Sequence, residues 1–284
     1  MSLPIHASGF EKINYYGLRV FAGLVLFFLI VPILVIMPLS FNAEPFFTFT
    51  EGMLKLDPEA YSLRWYRDIF ESDSWILSIK NSFIIGIFAT ILAVSLGTLA
   101  AVGLSSRYMP FKGIIMGLLI SPMIVPVIIS AASMYFFFSK VHLAQTYIGL
   151  IMAHAVLGIP FVIITVTATL VGFDTNLYKA SLSLGASPTQ TFFKVTFPLV
   201  RPGIISGALF AFATSFDEVV VVLFVAGTEQ RTIPREMWSG MREQLSPTIL
   251  AVATLLILMS IALLLTIEVL RRRNEKIRGV VNQN

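Results

Sequence analysis

Asp217 and Glu218 stand side by side in LFAFATSFDEVVVVLFVAG, with apolar residues on both sides. An ionised carboxylate at mid-membrane costs about 2.5–3.5 kcal/mol on insertion scales unless it faces water or a partner. Acids in such a place can attract a cation, which makes the pair a candidate lining for a solute pathway. The same pair can instead be a structural polar contact that fixes helix packing near the outer end of a span. On an unbroken helix adjacent positions lie about 100° apart, so one carboxylate would face the pathway while the other pairs with a neighbouring helix. His154 lies alone in a second apolar run and reads as a hydrogen-bonded packing residue; nothing near it in the sequence supports a metal. No catalytic residue and no metal ligand is identified.

The chain has 284 residues, 56% hydrophobic and 13% charged, with a mean hydropathy of +0.85. Soluble domains carry about 25% charged residues, so this is a membrane protein. Cysteine is absent, which excludes disulfides and thiolate chemistry. No glycine is followed by lysine, so the chain shows no phosphate-cradling G-x-x-x-x-G-K-[ST] loop of its own, and no cofactor is expected in this chain. G-x-S-x-G and H-E-x-x-H are missing too. Energy for any transport comes from an ion gradient or from a separate ATPase.

The elements that must position the acid pair are membrane helices. Apolar runs near the ~20 residues needed to cross a bilayer predict six spans, at 18–41, 80–105, 113–138, 146–171, 203–227 and 248–270. Of the 20 Lys and Arg, twelve fall on one side of these spans, among them Lys179, Lys194, Arg201 and the Arg271-Arg272-Arg273 cluster, and eight on the other. The richer side is cytoplasmic, which puts both termini inside. The net charge of +4 is therefore a matter of topology and of anionic lipid, not a nucleic-acid footprint. Ten acids fall outside, leaving the outer face at net −2, a balance that suits a cationic solute or a basic partner and equally suits ordinary loop solvation.

Within the spans, Ala89, Ala93, Gly97 and Ala101 recur every four residues and form a small-residue ridge for close helix packing. Pro122 and Pro126 in the third span, and Pro32 and Pro38 in the first, predict kinks. Tyr61–Trp75 reads as a short amphipathic helix outside the second span, and Trp75 and Trp238 sit where an interfacial belt is expected.

Between the fourth and fifth spans lies GFDTNLYKASLSLGASPTQTFFKVTFPLVRPG, residues 172–203, polar and rich in turn residues. It reads as two short helices meeting at an elbow on the cytoplasmic side. Asp174 or Asn176 caps the first, and Gly185 ends it. Ser187-Pro188 opens the second, and Pro198 stops it before Arg201-Pro202. A folded loop of this length at a membrane surface grips something.

The spacing in this loop resembles the EAA loop of permease subunits of binding-protein-dependent ABC importers, the MetI-like superfamily. That pattern is E-A-A, three residues, Gly, nine residues, Ile, one residue, Leu-Pro. Here it is Lys179-Ala180-Ser181, Gly185, Val195, Phe197 and Pro198, with the full spacing kept and with Lys and Ser in place of the first Glu and last Ala. Pro160-Phe161-Val162, Asp217-Glu218-Val219-Val220 through Phe224 to Gly227, and Ser246-Pro247 leading to Ala253-Thr254-Leu255 are similar to the second permease of spermidine/putrescine importers.

The resemblance implies an all-α membrane protein of six transmembrane helices with the MetI-like permease fold. Residues 1–75 would be an N-terminal anchor and periplasmic loop, 76–270 the permease domain, and 271–284 a basic tail. It also implies an inner-membrane importer subunit, ATPase contact through the seven loop residues, and a partner set: a second permease, a cytoplasmic ATPase dimer that binds ATP and Mg, and a periplasmic solute-binding protein. No nucleic-acid partner is implied. Other ABC permeases of this kind serve opines or amino-acid-like solutes. A gradient-driven carrier or channel accounts for the spans and the acids but not for the elbow, and an intramembrane enzyme would need a catalytic pair that two adjacent acids do not make.

Overall fold

The computed structural model describes residues 9–106, 108–171, 175–243 and 246–277. Among them thirteen α-helices appear. The first six are α1 (Gly9–Leu39), α2 (Glu51–Leu54), α3 (Arg64–Glu71), α4 (Asp73–Ser105), α5 (Lys112–Ile124) and α6 (Val127–Lys140). After them come α7 (Tyr147–Val171), α8 (Thr175–Ser183), α9 (Pro188–Thr191), α10 (Phe197–Asp217), α11 (Val220–Val225), α12 (Ile233–Glu243) and α13 (Thr248–Ile277). A π-helical turn, Phe192–Thr196, joins α9 to α10.

Among the described residues, four helical segments are long and apolar enough to cross a membrane: Gly9–Leu39, Asp73–Ser105, Tyr147–Val171 and Pro188–Asp217. The expected third span is not one kinked helix. α5 and α6 are two helices bent by 102° at Val125-Pro126, and as a pair they give a fifth crossing or a re-entrant loop. Pro122 is carried inside α5, whereas Pro126, which lacks a donor, sits at the start of α6 where none is needed. The sixth predicted span corresponds to the apolar part of α13, Thr248–Ala262, which is shorter than the others.

Contacts divide the described residues into two compact units, one made of the residues up to Ser72 together with those from Gly240 onward, the other of Asp73–Ser239. In the first unit α1 is exposed along nearly its whole length, and α13 packs against α1 and α3. The eight-residue α3 is the expected amphipathic helix: it buries Trp65 and Ile69, and Trp65 Nε1 donates to the Asn42 carbonyl at 2.7 Å.

The second unit is built on α4, α7 and α10. In lipid there is no hydrophobic gain from bringing apolar helices together, so close packing of small residues must hold them. The predicted ridge does this: Ala89, Ala93, Gly97 and Ala101 are all buried in α4. A Cβ added at Gly97 would lie 2.7 Å from Val162 Cβ on α7, and one at Gly158 would lie 3.0 Å from Ala211 Cβ on α10 and 3.3 Å from Ala93 Cβ on α4. Three helix backbones thus meet with no room for a methyl group. A second buried cluster, with Ile85, Ala131, Phe138, Leu150, Val221 and Val225, ties α6 and α11 to α4 and α7. Beside it, an apolar cavity of about 430 Å³ opens between α4, α6 and α7, lined by Leu92, Leu96, Phe137 and Met152 among others.

Candidate functional site

The elbow is held by hydrogen bonds between near neighbours in sequence. α8 ends in a Schellman motif: the Ala186 N–H donates to the Ser181 carbonyl at 3.2 Å, and the Gly185 N–H to the Leu182 carbonyl at 2.9 Å. Gly185 takes φ +83°, the left-handed conformation that this motif demands and that a side chain resists. A Cβ there would meet nothing within 4 Å, so the need for glycine is conformational and not steric.

Ser187 then opens α9 with a capping box. Its Oγ accepts from the Gln190 N–H at 3.2 Å, and Gln190 Oε1 accepts from the Ser187 N–H at 3.0 Å, with Pro188 at the first helical position. Asn176 lies inside α8 rather than at its cap, and Asp174 lies outside the described residues. Across the bend, Ser181 Oγ is hydrogen bonded to Thr191 Oγ1 at 3.0 Å, and Thr191 is fully buried.

Pro198 does not stop the second helix. α9, the π turn and α10 run as one 30-residue helical segment, Pro188–Asp217. Proline removes one helical hydrogen bond and crowds the preceding turn. The π turn loosens the spiral immediately upstream: the Phe197 N–H donates to the Phe192 carbonyl, five residues back, and Pro198 enters at the start of α10. Val200, Gly203, Ile204 and Gly207 are buried in the α10 packing, which keeps the helix going through Pro202 as well.

The predicted loop residues therefore gather at one end of this segment. Lys179, Ala180 and Gly185 are exposed, Ser181 is half-buried under the bend, Val195 lies in the π turn, and Phe197 and Pro198 are exposed at the start of α10. Leu184 is 88% exposed at the elbow tip, with Leu177 and Phe193 also uncovered. Asp217 and Glu218 lie at the other end, about 30 Å from Phe197 at 1.5 Å per residue.

The acid pair does not sit on a continuous span. α10 ends at Asp217, Glu218 is extended at φ −74° and ψ 121°, and the chain resumes as α11 at Val220. The two carboxylates are therefore placed by a break and not by a 100° rotation. Glu218 Oε1 accepts the Val221 N–H at 2.9 Å and so closes the start of α11, where a negative charge also suits the helix dipole. Asp217 is exposed at the C-terminal end of α10, where the dipole opposes its charge. It makes no hydrogen bond or ion pair with the described residues. Two residues earlier, Ser215 Oγ is hydrogen bonded to Nδ1 of the buried His154 at 2.8 Å, tying α10 to α7. His154 is thus the hydrogen-bonded packing residue that its isolation in the sequence suggested.

Beyond the break, the loop before α12 is clamped onto α4 and α7. Asn81 Nδ2 donates to the Glu229 and Arg231 carbonyls, each at 2.8 Å, while Tyr147 Oη donates to Asn81 Oδ1 at 2.9 Å. Ser82 Oγ accepts from the Ile233 N–H at 2.8 Å. Arg235 donates to the Ala226 and Gly227 carbonyls at 3.2 and 2.7 Å. Partial burial, then the Arg231 charge, lower the pKa of its guanidinium from the usual value, against the pull of Glu236. Sequence reading missed this clamp and missed Thr191. An asparagine at the mouth of an apolar run was the one available sign of the first; nothing in the sequence marked the second.

Comparison with known proteins sets this geometry in context. The family model described as "binding-protein-dependent transport system inner membrane component" matches residues 93–276. The chain is 31% identical over 261 residues to the spermidine/putrescine transport system permease protein PotC of Haemophilus influenzae, covering 92% of this chain and 98% of that one. It is 30% identical over 238 residues to the putrescine transport system permease protein PotI of Escherichia coli, covering 81% and 82%. Its fold is similar to a chain in the crystal structure of a bacterial ABC transporter involved in import of the acidic polysaccharide alginate, with a TM-score of 0.74 and 14% identity over 94% of this chain and 99% of that one.

Proposed function

The chain belongs to the family of binding-protein-dependent transport system inner membrane components and is a multi-pass permease subunit of an ABC importer; from that premise we propose that its solute is a polyamine such as spermidine or putrescine. The observation that carries the mechanism is the unbroken helical path from elbow to acid pair. Thirty residues at roughly 1.5 Å each make a strut of about 45 Å, longer than the ~30 Å hydrocarbon core. A push on the elbow is thereby delivered to the break at Glu218-Val219.

In this reading the family is one of transport and the chain performs no catalytic step. ATP and Mg bind to a pair of cytoplasmic ATPases that dock over Leu177, Leu184 and Phe193. Lys179, Ala180, Ser181, Gly185, Val195, Phe197 and Pro198 transmit their closure. Lys179, standing where the family pattern has an acid, calls for an acidic or neutral site on the ATPase surface. A periplasmic solute-binding protein delivers the amine to the outer mouth, and a second permease completes the pathway. The permease domain runs over 76–270, both termini are cytoplasmic, and the setting is the bacterial inner membrane.

Transport is by alternating access, with the Pro188–Asp217 strut and the break that follows it as the moving part. Because Glu218 is engaged by the Val221 N–H, Asp217 is the carboxylate available to attract a cationic amine, and one exposed acid attracts it without holding it too tightly for release. The test is purification of the chain with its neighbours in the membrane, followed by uptake into proteoliposomes. Copurification of an ATPase and uptake of spermidine that requires both ATP and a binding protein are expected. A chain that comes out alone and carries solute on an ion gradient overturns the proposal.

A further inference from the structure

We infer that Ser181 is a positioning residue whose hydroxyl, bonded to buried Thr191, locks the elbow into a rigid wedge before any partner docks. The inference deepens the coupling role proposed above and rests on it. Three observations carry it. The bend is closed at its inner angle by the 3.0 Å Ser181 Oγ–Thr191 Oγ1 hydrogen bond, between residues ten positions apart. Thr191 is fully buried, so its hydroxyl has no water to fall back on, and Ser181 satisfies it. The remaining joints are already fixed, by the Schellman motif at Gly185 and the capping box at Ser187.

The cross-elbow bond is thus the link that sets the angle between α8 and α9. An alanine at position 181, as in the family pattern, cannot make it. A displacement arriving at α8 reaches the 30-residue segment beyond it only as far as that angle holds.

The chain contains no cysteine, so an introduced pair holds the only thiols of this subunit, and the wild-type transporter oxidised in parallel controls for thiols of its partners. The complete transporter, reconstituted with its ATPase and binding protein, is assayed for ATP hydrolysed per spermidine imported. Ser181→Ala and Thr191→Val should each raise that ratio about fivefold, the effect of losing one hydrogen bond from a two-state element. The double variant should be no worse than either single one, and Ser181→Thr should restore the wild-type ratio. In Ser181→Cys/Thr191→Cys, oxidation should bring coupling back to wild type and reduction should remove it. Copurified ATPase is measured in every variant and should stay constant. Additive effects in the double variant, an unchanged ratio in Ser181→Ala, or loss of import on oxidation would each overturn the inference while leaving the importer assignment intact. A wild-type chain that binds no ATPase would remove the assignment itself.

Discussion

Replacing Gly185 separates conformation from size as the reason for a glycine at the elbow. Its φ of +83° lies in the left-handed region, and the space a Cβ would enter is empty to 4 Å. No clash is available to penalise a larger side chain, so the cost of substitution is the cost of the backbone angle alone. For alanine that is about 1–2 kcal/mol. Asparagine tolerates the angle better, and a β-branched residue tolerates it worse. At about 1.4 kcal/mol per factor of ten, Gly185→Ala lowers the ratio of formed to unformed elbow by about 5- to 30-fold, Gly185→Asn by less, and Gly185→Val by more. The assay is ATP hydrolysis against spermidine uptake in proteoliposomes, with ATPase copurification as the control for assembly. Uncoupling should follow the order Asn, Ala, Val while the complex still forms. If the damage instead tracks side-chain volume, with Ala milder than Asn, or if Gly185→Val couples like wild type, the force-transmission role of the Schellman turn is refuted.

The acids should separate by readout. Asp217→Asn should lower spermidine uptake with no change in thermal stability of the complex, whereas Glu218→Ala, which deprives the Val221 N–H of its acceptor, should lower stability by about 0.5–2 kcal/mol; a stability loss for Asp217→Asn would assign that residue to structure. Gly207→Val places a Cβ 2.6 Å from Thr165 Oγ1 and 2.8 Å from the Val162 backbone. Overpacking of this kind costs about 1–3 kcal/mol, and detergent thermal unfolding should show it as an early transition. Asn81→Ala takes the Asn81 donor from the Arg231 carbonyl and one of two donors from the Glu229 carbonyl, which keeps Tyr147 Oη at 3.0 Å; at about 1–3 kcal/mol for a buried group left unpaired, protease sensitivity should rise in the 226–233 loop before it rises elsewhere.

Much of this protein was legible along the chain because the forces concerned act over a few residues. Runs of apolar residues specify membrane crossing whatever surrounds them, since an unpaired backbone in lipid leaves the helix as the available local solution. The four-residue recurrence of Ala89, Ala93, Gly97 and Ala101 specifies a packing face for the same reason: helix geometry alone puts those positions in line. The Gly185 turn and the Ser187 cap are closed by neighbours within six residues. Their sequence spacing is therefore their geometry, and the family pattern is readable there.

What the sequence left open were choices between near-equal local outcomes that distant contacts decide. Pro198 ends most helices, yet here a π turn and the burial of Val200 and Gly203 against α7 carry the helix through it. Asp217-Glu218 reads as helix, yet the chain breaks there, with Phe216 and Ser215 packed on one side and Val221 and Val222 on the other. Ser181 meets Thr191 only because the bend has one angle, and Asn81 meets the Glu229 carbonyl across 148 residues. Local hydrogen bonding fixed the elements and their caps; the packing of α4, α7 and α10 decided where one of them continues, where it breaks, and which of two adjacent carboxylates is left facing outward.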